Sequence, residues 1–210
     1  AKMPRGSQER TNARMEEIVD ACAQLYEKIP FKEITLGAIG AKTSFTRTSI
    51  YNYFHTKEEI FLALLEREYA AWTVDLNQLT ESPLPPEAFP VRFAALLERR
   101  QPMLKLMSMN LYDMEAGSRL ENLIAFKRVF YASMQAVERC LRRHFPHCTE
   151  KEIQEFLYTF FPFLFGVYPY TEATPKQIEA MAAVEMPYRR YSVTEIARPL
   201  VEKLIRGFTM

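Results

Sequence analysis

TSFTRTSIYNYFHTKEEIF, residues 43–61, places a hydroxyl-rich, mildly basic segment with two apolar anchors ahead of an aromatic cluster and a helix-start signal. If Thr46 caps a helix running to about Tyr53, then Ile50 and Phe54 fall four residues apart on one face and point into a small core with Leu25, Ile39 and Phe45. The opposite face carries Arg47, Thr48, Tyr51 and Asn52, a set rich in hydrogen-bond donors and acceptors. A helix this short does not hold without its neighbours. Just upstream, Thr35 is placed to cap a second short helix from about Leu36 to Lys42, with Leu36 and Ile39 inward. Two short helices joined tightly, the second exposing polar side chains near its start, make the arrangement that lays a helix into the DNA major groove.

Working outward, the rest of the chain also reads as helix. Thr56/Glu59, Ser118/Glu121, Thr149/Glu152, Thr174/Gln177 and Ser192/Glu195 each pair a hydroxyl with a Glu or Gln three residues on, at the head of an apolar-periodic segment. A first helix is expected from about Gln8 to Ile29, with Ile18, Cys22, Leu25 and Ile29 on one stripe and Pro30 as its stop. A long helix starts at the Thr56 box and ends at Pro83, Pro85 and Pro86, and further helices are expected near 87–100, 103–114, 118–145, 149–168, 175–184 and 192–208. No stretch alternates apolar with polar residues as a half-buried strand would. The expected fold is all-α: a three-helix DNA-binding domain over residues 1–56 and a larger helical effector-binding and dimerisation domain over 57–210.

Composition narrows the function. The chain has 210 residues, 25% charged and 48% hydrophobic, with a formal net charge of only +1, which excludes a uniformly basic coat for nucleic acid. Charge is nevertheless uneven: residues 1–57 hold nine Lys+Arg against six Asp+Glu, while the remainder holds 18 against 20. The front end therefore has the sign that meets phosphates. Three cysteines fit a reducing compartment better than a disulfide framework. No basic-then-apolar leader is seen, and the run Phe156–Tyr170, interrupted by Pro162, Gly166 and Pro169, is too short to span a bilayer, so a cytoplasmic protein without membrane contact is expected. There is no nucleophile elbow, phosphate-cradling glycine loop, dinucleotide fingerprint or paired-histidine zinc motif, so no catalytic residue is assigned and no enzyme is expected.

The run Ile34–Phe61, ITLGAIGAKTSFTRTSIYNYFHTKEEIF, closely resembles the DNA-binding motif of the tetracycline-repressor (TetR) family of bacterial transcriptional regulators. The resemblance is carried by Thr35, Ile39, the pair Ile50-Tyr51, Phe54, and Lys57-Glu58-Glu59 followed by Phe61. It covers about the first third of the chain in motif detail. The rest agrees in length and helical class. Two positions depart from the family: Ser44 stands where glycine is usual in the turn, and Tyr53 where histidine usually precedes the Phe. A positive φ at Ser44 would carry a steric cost.

Roles follow from chemistry with the resemblance in support. Arg47 suits guanine edges, Asn52 adenine edges and the Thr48 methyl thymine. Tyr51 and Lys57 would hold phosphates as those positions do in the family, with Thr35, Lys42, Thr46 and Tyr53 beside them, and Lys2, Arg5 and Arg10 as weaker arm contacts. One such motif makes few contacts, and specific operators present two half-sites about 34–36 Å apart on a two-fold axis. The expected partners are therefore a second copy and a palindromic operator in double-stranded DNA. Interface candidates are Phe156, Phe160 and Phe163 on a helix apolar nearly all round, and Ile196, Leu200 and Leu204 on the last helix.

The resemblance implies a small-molecule effector held in the helical C-terminal domain; no cofactor is expected to be required, and the methionine and aromatic cluster there leads to the expectation of an apolar or aromatic guest. Met103, Met107, Tyr112, Phe126, Phe130 and Phe161 are the candidate lining, methionine being adaptable to apolar guests. Plain core is the competing reading of the same stripe. Cys140, His144, His147 and Cys148 have spacing compatible with Zn²⁺, opposed by the positive charge of Arg139, Arg142 and Arg143. Metal sensing and a helical adaptor that binds only protein stand as alternatives.

Overall fold

The computed structural model describes residues 5–109 and 111–208, with side chains for all of these except 5–7 and 47. Among them there is no strand, and the α-helices are α1 (Arg5–Tyr26), α2 (Leu36–Gly40), α3 (Arg47–Ile50), α4 (Lys57–Glu81), α5 (Phe89–Glu98), α6 (Gln101–Met107), α7 (Leu111–Ala116), α8 (Leu120–His144), α9 (Glu150–Val167), α10 (Pro175–Ala183) and α11 (Val193–Ile205). No described helix is long and apolar enough to cross a membrane.

The chain forms two compact units, residues 1–67 with 111–127, and residues 68–110 with 128–210. The first unit is thus larger than residues 1–56. The reason lies in the start of α4: Thr56 Oγ1 donates to the Gly117 carbonyl at 2.9 Å and the guanidinium of Arg119 grips Glu59, which ties α7 and the head of α8 to it. In the core of this unit, Ile18, Cys22, Ile34, Ile39, Ile50, Ile60, Phe61 and Leu65 are fully buried, and Phe54 nearly so. Phe61 meets the rings of Tyr26 and Phe31 edge-on at 5.2 and 4.7 Å.

In the second unit α5 packs on α11, and α9 packs on α6 and α11. Phe93 sits 5.2 Å from Phe160 and 6.0 Å from Phe156, while Phe145 joins Phe89 to Phe208 through contacts of 5.1 and 5.4 Å. The buried carboxylate of Asp75 accepts from Arg100 Nε at 2.9 Å.

Three of the expected capping boxes form in full, at Thr149/Glu152, Thr174/Gln177 and Ser192/Glu195. At Thr56 only half forms: Thr56 Oγ1 accepts from Glu59 N–H at 3.2 Å, but the Glu59 carboxylate takes His55 N–H at 2.7 Å and Arg119 instead. The Ser118 box does not form, because the hydroxyl donates back to the Met114 carbonyl at 2.7 Å and α8 begins two residues later. The single helix expected over 103–114 is two helices, α6 and α7, parted after Ser108, whose hydroxyl takes the Lys105 carbonyl at 2.7 Å. Pro162 and Pro199 lie inside α9 and α11 rather than ending them.

Candidate nucleic-acid interface

The reading segment is built from two helices too short to form alone. Thr35 caps α2, its side chain accepting from Ala38 N–H at 3.1 Å. The Thr43 hydroxyl takes the Gly40 carbonyl at 2.9 Å as the chain leaves α2. Ser44 then turns without a positive φ; Glu185 is the one described non-glycine residue with one. The expected steric cost does not arise. In its place a carboxylate from α1 fixes the turn: Glu17 accepts from the Ser44 backbone N–H through one oxygen and from its hydroxyl at 3.0 Å through the other.

Thr46 precedes α3, and its hydroxyl lies 3.0 Å from that of Ser49. The α-helix ends at Ile50, three residues before the expected Tyr53; the chain continues as turns, with Tyr53 N–H and Phe54 N–H both donating to the Ile50 carbonyl at 2.8 and 2.9 Å. Ile39, Ile50 and Phe54 anchor this segment in the core, whereas Phe45 and Leu25 are only half-buried. On the outer side Thr46, Thr48, Tyr51 and Asn52 are all exposed, as are Thr35 and Lys42. Lys2 and the side chains of Arg5 and Arg47 lie outside the described residues.

Two of the sequence-designated residues are less free than spacing suggested. Tyr53 is half-buried, and its hydroxyl accepts from Arg14 at 3.3 Å. Lys57 sends its ammonium to the carbonyls of Phe31 and Ile34 at 2.9 and 3.2 Å, over the Phe31 ring, so one of its three N–H groups remains for a phosphate.

Sequence reading missed the residues that hold the end of this segment. Glu59 has no exposed side-chain area, and its oxygens accept from Arg119 Nε at 2.7 Å, Arg119 N–H at 3.0 Å, Arg119 Nη2 at 3.0 Å and His55 N–H at 2.7 Å. Arg119 Nη2 also donates to the Tyr53 carbonyl at 3.1 Å. Burial by itself pushes the Glu59 carboxyl up, but the hydrogen bonds from Arg119 and the two backbone amides outweigh it and leave it below the usual carboxylate range. With Glu59 and Arg119 sixty positions apart, no local pattern announces the pair. Arg14, over the Phe45 ring, and Glu17 went unread for the same reason.

The geometry is that of a helix-turn-helix with an exposed polar face on its second helix. Residues 18–64 match the family model of bacterial regulatory proteins of the tetR family, and residues 66–210 match the tetracyclin repressor-like C-terminal domain. The chain belongs to the TetR family. It is a DNA-binding transcriptional regulator and not an enzyme. Members bind DNA operators, dimerise and typically take small-molecule effectors. No curated protein matches the chain. Among solved structures it is similar to the TetR-family regulator PfmR from Thermus thermophilus (15% identity, TM-score 0.57, covering 92% of this chain and 99% of that one). It is equally similar to the fatty acid degradation regulator FadR from Bacillus halodurans (15% identity, TM-score 0.58, the same coverages). At such identities the likeness is one of fold.

Within this TetR-family chain, the residues expected to line an effector site divide between the units. Met103, Met107, Phe130 and Phe161 lie in the second, where Phe161 packs on Phe130 at 5.5 Å and on Trp72 at 6.0 Å. Tyr112 and Phe126 lie in the first, Tyr112 exposed and Phe126 buried. Of the interface candidates, Phe156 and Phe160 are covered by their own chain, and Phe163, Ile196, Leu200 and Leu204 are half-buried.

The Zn²⁺ reading is corrected. Among the described residues no group of three or more His, Cys, Asp or Glu side chains is placed to hold a metal ion. His144 directs Nε2 at the Leu79 carbonyl, 3.1 Å away, and packs on Phe89, while Cys140 is buried and burial pushes its thiol up to about 11, a hydrogen bond with Thr80 pulling slightly the other way. Cys22 is likewise pushed up to about 12. With Cys148 the only half-exposed thiol, native protein at pH 8 is expected to react with a disulfide reagent at Cys148 alone; rapid reaction of a second thiol would contradict the packing.

Proposed function

We propose that the chain is a repressor that binds a two-fold symmetric operator as a homodimer and is released by a small apolar or aromatic effector in its second unit. The observation that carries this reading is the exposed row Thr46, Thr48, Tyr51 and Asn52 standing on the buried anchors Ile39, Ile50 and Phe54. Arg47 and Asn52 read base edges and Thr48 a thymine methyl. Thr35, Lys42, Thr46, Tyr51, Tyr53 and Lys57 take phosphates, and a second copy supplies the other half-site. Adaptable Met103 and Met107, with Phe130 and Phe161, support an effector site that opens by repacking, since the effector must favour one conformation over the other to cause release.

Selection of random duplex DNA by the purified protein at moderate salt is the test. A recovered palindrome supports the reading and supplies the assay for effector screening; binding without a motif, or none, would reduce the segment to a structural helix pair and favour a protein-binding adaptor. On the selected operator, Arg47→Ala is expected to lose about 1–3 kcal/mol of discrimination at its own base position. Lys57→Ala is expected to weaken all sequences alike and to lower the slope of log K against log salt by about one. An unchanged slope would confine Lys57 to its carbonyl contacts.

A further inference from the structure

α10 has no buried residue, although both of its ends are well made. Thr174 and Gln177 form the box at its start, and beyond it Ser192 and Glu195 form the box that begins α11. Arg189 pairs with Glu195 at 2.9 Å and Arg190 with Glu172, so both arginines that follow α10 are paired. The apolar side chains in and around α10 are exposed instead: of fourteen exposed large hydrophobic residues among those described, Tyr170, Ile178, Val184, Met186, Tyr188 and Tyr191 fall in this one stretch. Tyr170, Met186, Tyr188 and Tyr191 of these line an open groove of about 820 Å³, together with Met181 and Ile196. A nine-residue helix with nothing buried is not stable in water by itself, and a patch this concentrated marks an interaction surface.

We propose that the segment 168–191 is an arm that lies against a second copy of this chain, whose apolar side chains fill the groove. The proposal rests on the homodimer reading above and deepens it. Two observations select a second copy over a small guest. A small-molecule pocket encloses most of its ligand, whereas Tyr170 in the groove lining is 74% exposed and α10 contributes no buried residue to it. Ile196, which lines the groove, is also the first residue of the half-buried stripe Ile196, Leu200 and Leu204, spaced four apart on α11, so the stripe continues the groove's apolar lining. Permanent homodimers bury on the order of 2,000 Å² or more, and a two-fold axis would use each arm once, doubling its contribution.

The test is sedimentation equilibrium on the full chain and on the double variant Met186→Glu, Tyr188→Glu, whose sites are exposed, with Val91→Glu on α5 as an exposed control. The dimer dissociation constant is expected to rise at least about 30-fold in the double variant and to stay unchanged in the control. A dimeric parent whose double variant dimerises equally well overturns the arm and leaves the dimer standing; a parent that is monomeric at tens of micromolar overturns both. Hydrogen exchange on the unaltered protein guards against misfolding of the variant: amides of α10 are expected to slow as concentration drives dimerisation. Equal exchange in dilute and concentrated samples overturns the arm.

Discussion

Replacing Glu59 by Ala is expected to lower the stability of the first unit by about 2–3 kcal/mol, measured by urea unfolding. Removing one member of a buried, hydrogen-bonded ion pair costs more than the pair itself contributes, here somewhat less than the full penalty because Arg119 keeps 34% of its side chain in water. The loss reaches the proposed reading segment directly, since His55 N–H loses its acceptor and Arg119, which donates to the Tyr53 carbonyl, loses the carboxylate that fixes it. Operator affinity should therefore fall further than the affinity of a neighbouring-charge control such as Glu58→Ala. Arg119→Lys is expected to rescue only part, because an ammonium cannot reproduce the two-sided fork. The pH dependence has a definite sign. The Glu59 carboxyl is depressed in the folded chain, so its contribution is present above the unfolded carboxylate range near pH 4.3 and fades as pH falls through its lower folded value. Glu59→Gln should flatten the acid limb of the stability curve, and an unaltered acid limb would mean that the pair is not formed in solution.

The second large effect is expected at Phe160. Its ring is fully buried against Phe93, Phe156 and Phe161, all within the second unit, so Phe160→Ala should cost about 3–5 kcal/mol of protomer stability. Because the ring faces its own chain, the deficit should persist at every protein concentration. Phe163→Ala, at a half-buried site on the same helix, should lose less in dilute solution. If the Phe160 variant were instead as stable as the parent when dilute and merely failed to dimerise, the assignment of its face would be reversed.

These two sites also show where the amino-acid order was informative. The helical class, the boxes at Thr149, Thr174 and Ser192, and the buried trio Ile39, Ile50 and Phe54 were legible because each depends on residues within one or two turns of each other. The outward row of polar residues followed from the same periodicity. What escaped depended on distance along the chain. Glu59 looked like half of a local cap and proved to be the partner of Arg119; Ser44 looked like a misplaced glycine and proved to be held by Glu17. The apolar helix around Phe156 and Phe160 signalled burial, but periodicity alone does not say whether the cover comes from the same chain or another. The cysteine and histidine spacing failed for a related reason: proximity in sequence did not turn the side chains toward a common point.

The arrangement around α3 separates two jobs that a longer helix would mix. Its inward residue Ile50 and the following Phe54 supply the anchorage, while Thr48 and Asn52 stand in solvent and support nothing beneath them. Exchanging the outer residues therefore leaves the fold's free energy nearly untouched. On the proposed reading of this row, a lineage carrying this scaffold is free to drift from one operator to another by surface substitution alone, without first acquiring compensating changes in its core.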